Sequence, residues 1–130
     1  MFILSKTDPN FNRLCVLVLD ATAVLKMPGA AISDMNAASK FAHFYGAGEI
    51  NRLDFNRIYA RYWTHSQNQQ DGWLHKHQKC AEVLVPDRIP PEHFMGIFVQ
   101  DEESNREILA NGCQLKTKIH PDIFFGDATI

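Results

Sequence analysis

Several features are scarce in this chain, and each scarcity closes off a class of protein. Cysteine occurs three times, at Cys15, Cys80 and Cys113, an odd and scattered set. A disulfide framework is therefore excluded as the organising principle, and a reducing compartment is expected. Cys15 and Cys80 lie in apolar runs, where a free thiol behaves as a small hydrophobe. No apolar run approaches the roughly 18 residues of a membrane span. The opening MFILSKTD has neither the apolar length nor the basic leader of a signal peptide. No membrane association and a cytoplasmic location are expected. An excess of one charge is also missing: 13 basic against 15 acidic residues give a net charge of -2, so any nucleic-acid surface must be a local patch. Repeats, low-complexity tracts, a glycine-rich phosphate loop, G-x-S-x-G and a Cys/His nucleophile pattern are all lacking.

The chain does have the material for a packed core, with 45% hydrophobic residues over 130 positions, a length that fits one domain. Leu14–Asp20, LCVLVLD, is a continuous apolar run of strand length and is expected to be buried on both faces. The Lys6–Asn12 segment before it, KTDPNFN, is a turn. A short helical turn in ATAVLKMPG and a brief strand at Ala30–Ser33 follow. Ser33 or Asp34 is expected to cap a helix through MNAASKFAHFYG, with Gly46 as its stop. Asp54 caps a second helix, FNRIYARYW, in which Phe55, Ile58, Tyr59 and Tyr62 form an apolar stripe expected in the core. Thr64–Lys79 is polar, amide-rich and without an apolar period, and it reads as a long loop of the kind that carries function. A strand at Cys80–Val85, a proline turn, a strand at Met95–Gln100, a helix capped near Asp101 and stopped at Asn111-Gly112, and a last strand in CQLKTKIH complete the chain. This order lacks βαβ regularity, so the expected class is α+β, a mixed or antiparallel sheet with flanking helices.

Two places carry candidate chemistry. In Cys80–Val85 alternate side chains share a face, which sets Glu82 beside Cys80 and Leu84 in an otherwise apolar strand. A buried carboxylate costs several kcal/mol unless it is paired or hydrogen-bonded. Either this strand is an edge with one wet face, or Glu82 is a catalytic carboxylate on a rigid support. In WLHKHQKC, His75, His77 and Cys80 are metal-capable, but no second ligand pair accompanies them, so no metal is expected. His75, Lys76, His77 and Lys79 instead make a local basic patch suited to phosphates.

The stretch CAEVLVPDRIPPEHFMGIFV resembles the DarT family of bacterial DNA ADP-ribosyltransferase toxins, which carry a similar Ala-Glu strand, a proline turn and an Ile-rich strand. Upstream, GAAISDMNAASKFAHFY is similar to the family's turn that opens into a helix, LDFNRIYARYW to its Asp-capped helix, and HPDIFF to its closing aromatic tail. The resemblance implies NAD-dependent transfer of ADP-ribose to thymine in single-stranded DNA, with NAD as co-substrate and Glu82 as the catalytic residue. It also implies Thr64–Lys79 as the substrate-facing loop, with Lys76, Lys79, His75 and His77 toward DNA, and Met1 and Asn36 on the NAD side. A macrodomain-type antitoxin is the implied partner. In the family an N-terminal half of the NAD site precedes the point matching Met1. Residues 1–130 are thus expected to form a single, N-terminally truncated ADP-ribosyltransferase-like domain, poorly active or inactive as it stands, which would associate through an exposed edge. The alternative is a non-enzymatic remnant that binds nucleic acid or antitoxin.

Overall fold

The computed structural model describes residues 14–65 and 67–124. Met1, and the expectations for the turn around Asp8 and the aromatic tail beyond Phe124, lie outside the described residues. The chain divides into two compact units: one from the segment ending at Asp20 and the segment from Pro90 onward, the other Ala21–Ile89.

The first unit is a mixed three-stranded sheet. Its central strand, β5 (Phe94–Val99), pairs antiparallel with β1 (Cys15–Leu19) and parallel with β6 (Thr117–Ile119). Parallel neighbours need a crossover, and α4 (Glu102–Ala110) supplies it between β5 and β6. Asp101 caps this helix as expected, its Oδ1 accepting from the Ser104 backbone N–H at 2.8 Å and the Ser104 hydroxyl at 2.7 Å. Gly112, at φ +80°, ends it in the left-handed conformation that glycine enters without a Cβ penalty. The buried apolar set is Ile97 and Val99, two apart on one face of β5, together with Phe124. Gly96 permits a close approach: a Cβ there would stand 2.7 Å from the Lys116 carbonyl, to which the Ile97 N–H donates at 2.8 Å. β1 corrects one expectation. Among the described residues it is an outer strand, not a two-faced core strand, with Leu17 48% exposed and Cys15 also exposed.

The second unit is built on an antiparallel sheet in which β2 (Ala31–Ser33) lies between β3 (Phe44–Gly46) and β4 (Glu82–Leu84). Ile32, Ser33, Met35 and Val24 are buried; Val24 comes from the short helix α1 (Ala21–Leu25). The Ser33 hydroxyl donates to the Met35 carbonyl at 2.7 Å, which satisfies it without water.

Three expectations are overturned in this unit. The segment after Ser33 is not a helix but a series of turns leading into β3. Asp34 explains it: Oδ1 accepts the His43 N–H at 2.9 Å and Oδ2 meets His43 Nδ1 at 2.9 Å, closing a nine-residue loop. The amides of Ala37 and Ala38 likewise go to side-chain oxygens rather than to carbonyls one turn back. The helix capped by Asp54 stops early, as α2 (Phe55–Ile58), with Tyr59 and Tyr62 exposed at 78% and 73% rather than in a core. The supposed loop Thr64–Lys79 holds a ten-residue helix, α3 (Gln69–Gln78), with Asn68 Oδ1 capping it through the Asp71 N–H at 3.0 Å.

Helix α3 escaped the sequence pattern because its inward face is polar. Asp71, His75 and Gln78 recur at helical spacing, and His75 is 4% exposed. The face is held by hydrogen bonds in place of apolar packing. Asp71 Oδ1 accepts from the Arg57 guanidinium at 2.7 Å, and His75 Nε2 donates to the Arg57 carbonyl at 2.8 Å. Since a carbonyl only accepts, His75 Nε2 must carry a proton. A neutral His75 then accepts at Nδ1 from His65 Nε2, 2.9 Å away.

Candidate active site

Glu82 begins β4 opposite Ser33, and its position is set by the sheet. It is half-buried, on a strand that among the described residues is an outer one of its sheet, as the edge reading expects. Oε1 accepts the Ala37 backbone N–H at 3.2 Å, across 45 residues of sequence. Among the described residues Oε2 accepts no hydrogen bond, so one oxygen is fixed and the other is available.

The turn that holds Glu82 is itself held at three points. Asp34 closes its outer end through His43. Asn36 Oδ1 accepts the Ala38 N–H at 2.9 Å, an Asx turn that any extended chain would lose. The Asn36 backbone N–H donates to the His77 carbonyl at 3.2 Å, which ties the turn to the last residues of α3. One strand, one turn and one helix end therefore converge on a single carboxylate. Preorganised charge of this kind stabilises an opposite charge developing in a transition state without reorganising.

The other sequence-picked residues separate into two groups. Lys76 is exposed and His77 half-buried, with the His77 ring 4.2 Å from that of Trp73, and these two remain on the outer side of α3. His75 and Lys79 have different work. The buried His75 ring is engaged at both nitrogens, so it is not a surface phosphate contact. Lys79 Nζ donates to the carbonyls of Ile58, at 3.1 Å, and Ala60, at 2.5 Å, capping the end of α2. Burial pushes its ammonium below the usual lysine range, partly opposed by Cys80. Asp71 is held below the usual carboxylate range by its hydrogen bond from Arg57, against a smaller effect of burial. Cys80 is exposed, contrary to its apolar sequence context. No group of three metal-capable side chains occurs among the described residues, and none of the described helices is long and apolar enough to cross a membrane.

The sequence reading missed Ala37, Asp34 and His43, which set the carboxylate. A backbone amide leaves no residue-type signal. The Asp34–His43 pair is nine apart, a spacing that matches neither helix nor strand periodicity.

The fold is α+β, and its Ala21–Ile89 unit presents one strand-held carboxylate, oriented by a clamped turn. The family described as ssDNA thymidine ADP-ribosyltransferase, DarT, matches residues 3–125, and the chain belongs to that family. A DNA ADP-ribosyl transferase–DNA ADP-ribosyl glycohydrolase fusion protein of Thermosipho africanus is 31% identical over 107 residues, 78% of this chain and 26% of the relative. Among solved structures, Thermosipho africanus DarTG in complex with ADP-ribose superposes with a TM-score of 0.75 at 23% identity, covering 94% of this chain and 32% of that one. Thermus sp. 2.9 DarT in complex with NAD+ gives 0.71 at 24% identity, covering 83% of this chain and 56% of that chain. The same Thermus protein in complex with ADP-ribosylated ssDNA gives 0.68, also at 24% identity, with 83% and 53% covered. The chain thus spans about a quarter of the curated relative and little more than half of the Thermus chain, and these structural likenesses establish the shared α+β fold.

Proposed function

We propose that this chain transfers ADP-ribose from NAD to thymine in single-stranded DNA, with Glu82 as the catalytic carboxylate. The observation that carries the reading is the Ala37–Glu82 hydrogen bond. It fixes one carboxylate oxygen within a chain matched by the family along residues 3–125.

NAD enters as a substrate, and the chemistry it needs fits this donor set. The bond between the nicotinamide nitrogen and the ribose anomeric carbon breaks with its electron pair leaving on nicotinamide. Positive charge then builds on the ribose, and a carboxylate held on a strand stabilises it. In thymidine the only ring N–H is at N3. Its nitrogen pair forms the new bond to the anomeric carbon, and the proton released is taken by the free Glu82 oxygen acting as general base. Asn36 sits beside this carboxylate in the clamped turn and is assigned to the NAD side, while Lys76 and His77 on α3 are assigned to the DNA side. The Thermosipho relative is a fusion with a glycohydrolase, which supports a DNA-ADP-ribose-removing antitoxin as the partner of this chain.

The test is incubation with NAD and a thymine-containing single-stranded oligonucleotide, read by mass spectrometry. Glu82→Gln keeps the shape but lowers transfer about 100-fold or more. Equal transfer by both proteins removes Glu82 from the chemistry. Absence of transfer by the parent chain, with oligonucleotide binding retained, supports the non-enzymatic binding domain instead.

A further inference from the structure

The outward face of α3 carries chemistry that the transfer step does not use. Gln69, Gln70, Trp73 and Lys76 are all exposed, and Trp73 presents 45% of its surface to water. The indole does not stand alone. Phe41, from the clamped turn region and 53% exposed, meets it edge to face with centroids 5.7 Å apart, and the His77 ring lies 4.2 Å away. Two shallow hollows flank the indole. One of about 470 Å³ is lined by Gln69, Gln70 and Leu74. The other, about 350 Å³, is lined by Trp63, His65 and Lys76, among others. Trp73 and Gln69 form the wall they share. Two basic groups are near: Lys76 lines the second hollow, and Lys40 Nζ lies 5.0 Å from the Phe41 ring centre.

This shelf is joined to Glu82 by a short path. The His77 carbonyl accepts the Asn36 N–H, and the next amide, of Ala37, donates to the carboxylate. We propose that Trp73 is a stacking shelf for the base adjoining the acceptor thymine, braced by Phe41, with Lys40 and Lys76 meeting the flanking phosphates. The assignment rests on single-stranded DNA being the acceptor. An exposed indole offers a π-face to any base, and stacking on it is strong and tolerant of sequence. The hollows themselves are largely apolar, as the face of a base is, while Gln69, Gln70 and Lys76 along them can meet base edges and phosphates. Asp71, the acidic residue of this helix, is paired with Arg57 and leaves that positive character intact.

The experiment is a binding cycle at fixed salt. A labelled single-stranded oligonucleotide with one thymine, and versions with a single abasic nucleotide on either side of it, are titrated against the parent chain, Trp73→Ala, Trp73→Phe and Glu82→Gln. Trp73→Ala is expected to weaken binding about 10-fold, the effect of one lost stacked base, and Trp73→Phe to keep most of the affinity. One abasic position weakens the parent by the same factor and leaves Trp73→Ala unchanged. Circular dichroism confirms that the variants fold. Equal binding by Trp73→Ala and the parent overturns the proposal, as do equal abasic penalties in both or no binding by the parent. Loss of self-association in Trp73→Ala with DNA binding unchanged assigns the shelf to protein contact and equally overturns it. Glu82→Gln separates the two readings: its transfer reports on the reaction, and its unchanged abasic penalty reports on the shelf.

Discussion

Helices α3 and α4 make an instructive pair. Both begin at a side-chain cap, Asn68 in one and Asp101 in the other, and both are about ten residues long. Helix α4 turns Ser104, Asn105 and Ile108 inward, and its ends are written in residue types: an Asp cap, acidic first-turn residues and a glycine stop. Helix α3 turns Asp71, His75 and Gln78 inward, and it is held by polar bonds to Arg57 and by Lys79 on the end of α2. The first kind of helix depends on local rules and the second on partners far along the chain. The second kind lies beside the candidate site, where a polar scaffold also offers polar surface.

This comparison breaks most sharply at His75. Replacing it with Ala removes a buried ring and leaves the Arg57 carbonyl without its donor, a loss on the order of 3 kcal/mol. Amide exchange in α3 should accelerate accordingly while α4 keeps its protection. Equal acceleration in both helices would mean that the His75 bonds do not act locally on α3. His75→Phe is expected to recover only part of the loss, since it refills the space but still leaves that carbonyl unpaired.

The corresponding break in α4 is smaller. Asp101→Ala removes the cap and costs about 1 kcal/mol, and Asp101→Asn retains most of it. The Ser104 N–H and hydroxyl hold the Asp101 carboxyl below its usual range. A carboxylate whose folded pKa is depressed contributes its full stability above the unfolded value of about 3.9. That contribution is lost as the pH falls through the folded value. Acid unfolding followed in Asp101→Asn should show a shallower loss below about pH 4 than the parent. An identical acid limb in both proteins assigns the acid sensitivity to other carboxylates.

The same contrast explains how much was legible. The α+β class, β2, β5, the Asp54 and Asp101 caps and the Gly112 stop follow from patterns confined to a few neighbouring residues. Glu82 was visible as a charge in an apolar strand, and the family likeness gave it a role. Its actual holder, the Ala37 amide, has no residue-type signature, because any residue but proline supplies the same N–H. Trp73 and Phe41 were unremarkable in sequence, since their ring contact depends on a turn that the pattern read as helix. His75 looked like part of a basic patch because charge type is readable from sequence and burial on a polar face is not.

The gentlest test of the comparison is salt. Arg57 and Asp71 have side-chain exposures of 28% and 32%, so their attraction is partly screened by water already and further by ions. The Asp101 cap uses uncharged donors from Ser104, which salt leaves nearly untouched. Raising ionic strength from about 0.1 M to 1 M shortens the screening length from about 10 to 3 Å. Exchange in the first turn of α3 should therefore quicken by a small factor, with no change at the start of α4. Asp71→Asn should abolish this salt response, because the amide keeps an acceptor for Arg57 but no charge to screen. A salt response that survives in Asp71→Asn would place the screened charge elsewhere on α3, and Lys76 would be the next residue to replace.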